Sequence, residues 1–234
     1  MALRRWRAGP ALFLGIVLAG VCSAVGAAPP VRAFEPRHFV GLTAKSVSTE
    51  DDAALDIDFD KLGGGQLHLS HCREMPPALM DQVMVPQVIF AEILRLNCLA
   101  VQRYARSHPA THSHMPTGWS AAAVAKLPAQ VLPELGPDDA ATPPLSHPQI
   151  TLARRPGARH ITLERDGSVR VKGTEVRALF HRLARADFNG DGYEDWLLRM
   201  DWGAQHGSMK GCQLVLVTRL VAGGPLRVLE RIAR

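Results

Sequence analysis

Apolar and polar positions along this chain repeat with two different periods, and the change of period divides it. The run Leu55-Asp56-Ile57-Asp58-Phe59-Asp60 alternates one for one. That sets Leu55, Ile57 and Phe59 on one face of a strand and three aspartates on a solvated face opposite. Gly63-Gly64-Gly65 reads as a turn and 66–70 as the returning strand of a hairpin. Over 86–106 the period lengthens. Val88, Ile89, Ile93, Leu96, Ala100 and Tyr104 recur at three- and four-residue intervals, the buried stripe of an amphipathic helix. Pro86 suits its first turn, and Glu92, Arg95, Gln102 and Arg103 fall largely outside the stripe. Ser120 caps a short helix running to Leu127. Pro128, Pro133, Pro137, Pro143 and Pro144 then punctuate a connection, 128–148, that reads as a linker.

Beyond the linker the chain reads β. Short strands are expected at 150–152, 160–164, 168–172, 176–183, 196–202, 213–220 and 226–232, with Arg165-Asp166-Gly167 as a hairpin turn. The fold expected is α+β. In its first half, 28–127, a hairpin is covered by the long helix, and its second half, 149–234, is an antiparallel sheet. The stretch 29–36 reads as a loose arm, and 38–48 hints weakly at a strand.

One loop in the second half carries chemistry. Asp187-Phe188-Asn189-Gly190-Asp191-Gly192-Tyr193-Glu194-Asp195 places oxygen-bearing side chains at positions 1, 3, 5 and 9 and a glycine at position 6, the pattern D-x-N-x-D-G-x-x-D. Alternate side chains turned inward suit Ca²⁺, which takes six to eight oxygen ligands. Asn-Gly and Asp-Gly also serve as plain turns, but a turn does not need acids at alternate positions, which repel one another unless a cation neutralises them. An EF-hand is excluded, because its position 12 is a bidentate Glu between helices and position 12 here is Leu198 in a strand-like run. The loop resembles the calcium loop of FG-GAP and VCBS-type repeats over about 186–198. The resemblance implies side-chain ligation by Asp187, Asn189, Asp191 and Asp195, with Tyr193 binding through its carbonyl. Such repeats occur in series in β-propellers of at least about four blades; one copy is present, so no propeller is expected.

The address is read from the N-terminus. Arg4, Arg5 and Arg7 precede an apolar run, 11–21, and small residues at 25–27, the layout of a secretory signal cleaved after Ala27. The mature protein is then periplasmic or secreted, with no stable membrane span. The 234-residue chain carries a net charge of +5. Without the leader's three arginines, 24 basic side chains stand against 22 acidic ones, a charge of +2. That balance argues against nucleic acid as a partner and leaves an unidentified protein or envelope ligand. Export permits disulfides. Among Cys72, Cys98 and Cys212 the favoured bridge is Cys72–Cys98, with Cys98–Cys212 and no bridge as alternatives.

The sequence contains no GxSxG, SxxK, HExxH, CxxC, Walker or dinucleotide motif. His108, His112 and His114 fall in a polar loop at no standard zinc spacing, as do His68 and His71. Two functions remain. One is a non-catalytic exported protein with a Ca²⁺-stabilised β module. The alternative is a periplasmic hydrolase or metal-dependent enzyme using His68, His71 or the glycine-rich loop 203–211. Convergence of those histidines in the folded chain discriminates between them.

Overall fold

The computed structural model describes residues 30–42, 52–133, 150–155 and 157–233. The leader, most of the weak strand at 38–48 and the connection after 133 lie outside the described residues. The hairpin forms as its alternation requires. Strands β2 (Ala54–Asp60) and β3 (Gln66–His71) pair antiparallel, with Ile57 opposite Leu69 and Phe59 opposite Leu67. Leu55, Phe59 and Leu69 are buried while Asp56, Asp58 and Asp60 are exposed. Gly64 and Gly65 take positive φ in the turn, a conformation that glycine adopts without steric cost.

Helix α1 (Val88–Arg106) follows a 3₁₀ turn, Val85–Gln87, that contains Pro86. It is held between two layers. Phe90 meets Phe59 of the hairpin at 5.9 Å between ring centroids, and a Cys72–Cys98 disulfide ties the end of β3 to the helix. Cys212 is free and buried. The other flank of α1 packs on the large sheet. A helix buried on two sides has a wider buried face than one stripe, and this corrects the reading of Glu92 and Arg95. They are only 5% and 6% exposed, joined by two hydrogen bonds of 3.0 and 2.6 Å. By length and composition Val85–Arg106 is apolar enough to span a membrane, but half of its most apolar stretch is buried inside the protein.

The sheet is an antiparallel meander of β4 (Ala158–Leu163), β5 (Val169–Gly173), β6 (Val176–Ala186), β7 (Asp195–Ala204), β8 (Lys210–Thr218) and β9 (Arg227–Ile232), in that order. Strand β1 (Ala33–Phe34) pairs with β6 at Arg185 and Ala184, past the residues that β5 pairs. The stretch expected to be a loose arm is therefore part of the sheet. The strand expected at 150–152 is instead a single bridge from Thr151 to Pro128 and a 3₁₀ turn, Leu152–Arg154.

Both faces of the sheet are covered mainly by segments from the first half of the chain, with 128–132 and Leu152 at the two ends of the proline-rich connection adding to one of them. On one face Leu183, Leu197, Leu214 and Leu216 join α1 and the hairpin in one core. On the other, Phe180, Trp196, Leu198, Met200 and Val215 pack with Val124, Leu127 and Val131. Ser120 caps α2 (Ala121–Ala125), its side chain accepting from the Ala123 amide at 3.2 Å. The boundary placed at 128–148 thus separates stretches of sequence, not independently packed units. Residues 128–132 belong to the second core, because an antiparallel sheet with two apolar faces needs a cover on each.

Candidate functional site

The acidic loop joins β6 to β7, and its backbone is shaped by its own side chains. Gly190 and Gly192 take φ of 82° and 84°. Asp187, 4% exposed, accepts from the Gly190 amide at 2.7 Å and the Gly192 amide at 2.8 Å, one bond to each carboxylate oxygen. Asn189 Oδ1 accepts from the Asp191 amide at 3.1 Å, and Asp191 Oδ1 from the Tyr193 amide at 2.8 Å. Asn189 also donates to Asp191 Oδ2 at 2.9 Å. Asn189 and Asp191 are exposed, so the loop has an open outer rim and a buried acidic floor.

Asp195 forms that floor. It is fully buried. Its Oδ2 accepts from the Phe188 amide at 3.0 Å, and its Oδ1 has no hydrogen-bond partner. Burial pushes the Asp195 carboxyl up to about 6, against the nearby Thr218 hydroxyl and the Phe188 amide, with the charges of Asp191 and Asp187 adding to the rise. A hard cation would relieve both the orphaned oxygen and the repulsion, so in kind the donor set fits Ca²⁺. Among the described residues, however, no three His, Cys, Asp or Glu side chains gather as a metal-holding group. The oxygens of Asp187, Asn189 and Asp191 are engaged by backbone or amide N–H groups, and an ion would have to share them.

The stretch read as a polar loop with incidental histidines lies along this site. His108 and Asp187 exchange backbone hydrogen bonds, each of 2.9 Å. The amides of Thr111 and His112 both donate to the Gly192 carbonyl at 3.0 Å, and the Glu194 amide donates to the His112 carbonyl at 2.8 Å. The rings of His112 and His114 approach Tyr193 at 5.5 and 5.3 Å. Residues 108–114 are thus a strap tied to the loop at its first, sixth and eighth positions. Buried Glu194 anchors the end of the loop. Burial opposes its charge, but Arg185 at 2.6 Å and the indole N–H of Trp196 at 2.9 Å help hold its carboxyl below the usual range.

The residues named for catalysis do not converge: His68 and His71 share β3 but, three residues apart, fall on opposite faces and meet different aspartates, and the glycine-rich loop joins two strands of the other sheet. His68 pairs with Asp58 at 3.0 Å on an exposed part of the hairpin. His71 lies 3.7 Å from Asp52 and shares a capping arrangement with Glu74. The glycine-rich loop is shorter than expected, because β7 runs to Ala204 and β8 begins at Lys210; His206 within it is exposed.

A second polar cluster was not anticipated. Arg199, 1% exposed, donates to both oxygens of Asp201, to the His38 carbonyl at 2.8 Å and to Asn97 Oδ1 at 2.7 Å. His181 Nε2 lies 3.1 Å from Asp201 Oδ2. Strand alternation held the signal, since Arg199 and Asp201 share a face with buried Leu197. The chain matches no protein-family model, no curated protein and no solved structure.

Proposed function

We propose that the chain is a non-catalytic periplasmic or secreted protein whose β module is stabilised by Ca²⁺ in an FG-GAP/VCBS-like loop. The observation that carries this reading is Asp195, fully buried with an unpartnered carboxylate oxygen in a loop that also presents Asp187 and Asp191. An unpaired buried charge is strongly unfavourable, and the ion that suits these oxygens is a hard one. Asp187, Asn189, Asp191 and Asp195 would bind through side chains and Tyr193 through its carbonyl. Affinity on the order of 10⁻⁴–10⁻³ M fits an extracellular module. The Cys72–Cys98 bridge supports export, because disulfides persist in oxidising compartments. Its role is binding or structural, toward a protein or envelope ligand.

The test is a thermal melt of the mature chain, 28–234, in chelator, in millimolar Ca²⁺ and in millimolar Mg²⁺. A rise in Tm with Ca²⁺ above that with Mg²⁺ supports the site. Identical melts in all three would reduce 187–195 to a turn and overturn the proposal.

A further inference from the structure

The second polar cluster lies six residues farther along β7 than Asp195, where the N-terminal segment 30–42 crosses the sheet. His38 ends the 3₁₀ turn Pro36–His38, and its ring meets that of His181 on β6. The ring centroids are 5.1 Å apart and the two Nδ1 atoms 3.4 Å apart. The two residues are 3% and 6% exposed. Each outer nitrogen faces a carboxylate. His181 Nε2 is 3.1 Å from Asp201 and His38 Nε2 is 3.8 Å from Glu35.

Charged groups approach from every neighbouring element. Glu35 and Arg37 belong to the segment itself. Arg182 of β6 donates to Glu35 at 2.6 Å. Arg199 and Asp201 come from β7. Asp166, in the turn between β4 and β5, is near enough for its charge to act on both rings, and the Arg37 guanidinium lies over the adjacent Gly167. On α1, Asn97 joins Arg199 to the Val40 carbonyl, to which it donates at 2.8 Å. The Glu92–Arg95 pair of α1 and the Cys212 thiol of β8 complete the surroundings.

A neutral imidazole carries one N–H. His181 Nε2 makes no well-formed hydrogen bond, but Asp201 at 3.1 Å favours the N–H there; His181 Nδ1 is then an acceptor and His38 Nδ1 the donor between the rings. Three guanidinium groups, Arg37, Arg182 and Arg199, face three carboxylates, Glu35, Asp166 and Asp201. With both rings neutral the cluster is balanced, and a proton added to His38 is an uncompensated buried charge. Once both rings are charged, N–H points at N–H across 3.4 Å and the contact cannot persist.

We propose that the His38–His181 pair is an acid-operated latch. In neutral solution it holds 30–42 on the sheet; protonation of both rings expels His38 and frees that segment while β6–β9 stay paired. The segment is also held by a two-residue strand, the Glu35 amide on the Leu183 carbonyl, the Val31–Ala110 bridge, the Arg32 contacts at the end of α1, the Glu35–Arg182 ion pair and the bonds of Arg199 and Asn97 to the His38 and Val40 carbonyls. Phe39, 2% exposed, and Phe34, 5.3 Å from the Tyr104 ring, anchor it in the core, so the latch must work against their burial. Burial pushes His38 down to about 4, with His181 and Arg37 contributing. The folded state therefore holds this proton less tightly than the unfolded chain, whose imidazole titrates near 6.5. The stability that depends on His38 being neutral is complete above about 6.5 and falls away as pH drops toward about 4.

Hydrogen exchange read by mass spectrometry on 28–234, from pH 7 to 3.5 with times scaled for intrinsic exchange, tests the latch. Peptides over 30–42 should lose protection between about pH 5 and 4, before those of β7 and β8. His38→Phe keeps a ring that gains no proton, and should keep the segment protected through that window. Loss of protection in 30–42 and β7–β8 at one pH would overturn the latch, as would release of the His38→Phe segment at the wild-type midpoint. If that variant does not fold, ring-proton NMR of the wild type decides. The two histidines should titrate together with segment release; both rings protonating while 30–42 stays protected would refute it.

Discussion

Replacing Asp195 by Asn separates a metal ligand from a turn residue, because the two roles predict opposite signs. The side chain is fully buried, and its carboxyl is raised from 3.8 to about 6. The folded state holds that proton more tightly than the unfolded chain does. Stability is thus lost as pH rises from about 4 to about 6, and the loss is complete above. Two pKa units correspond to about 3 kcal/mol, or about 2 kcal/mol once partial solvation of the loop is allowed for. Asn keeps the shape and an acceptor for the Phe188 amide but carries no charge. In chelator at pH 7, Asp195→Asn should therefore melt higher than the wild type. For a chain of this size about 2 kcal/mol corresponds to roughly 4–8 °C. In 10 mM Ca²⁺, with a dissociation constant near 10⁻³ M, the wild type should gain about 1.4 kcal/mol and the variant little or nothing. Calorimetric melts in both buffers read all four values. A variant destabilised equally with and without Ca²⁺ would refute the reasoning and leave Asp195 as a structural cap on Phe188.

Other perturbations test the buried network and the cross-link. Arg199→Met should cost about 3 kcal/mol in urea unfolding, since it leaves buried Asn97 Oδ1 and the His38 carbonyl without their donor and half-buried Asp201 with only His181; a loss below about 1 kcal/mol would show that the network relaxes freely. Reducing the Cys72–Cys98 bridge, whose cysteines are 26 residues apart, should lower unfolding free energy by about 3.5 kcal/mol by the loop-entropy relation, read from urea melts with and without reductant. Burial pushes the Cys212 thiol up to about 12, with Asp201 and Glu92 adding. A thiol reagent at pH 8 should label it only as fast as the protein unfolds; rapid labelling of the native chain would contradict that burial.

The loop and its shape were legible because their information is local. Glycines at 190 and 192 and the oxygen-bearing side chains of Asp187, Asn189 and Asp191 specify a tight turn wherever it sits. The hairpin at 54–71, α1 and most strands from 158 to 232 were legible for the same reason, their local pattern, although register shifts interrupt the pairing at 54–57, 158–160, 182–184 and 216–217. The Cys72–Cys98 pairing followed from placing one cysteine at a strand end and the other on the helix that covers it. The N-terminal arm was not legible, because Ala33 and Phe34 form a strand only where β5 has ended and β6 still offers a free edge. Nor was the strap. The backbone of His108, Thr111 and His112 binds the loop, and backbone groups are the same in every sequence.

The sequence by itself determined the period of each element, the turn chemistry of 187–195 and the residues able to bridge. Only the tertiary structure decided which polar side chains would be buried. Glu92 and Arg95 read as solvent-facing because a helical stripe assumes one buried side, and α1 has two. His38 and His181 are 143 residues apart, and no periodicity links them. Their contact exists because the N-terminal segment and β6 meet at the same place on the sheet. Burial is a property of what covers a residue, and the cover here comes from distant parts of the chain.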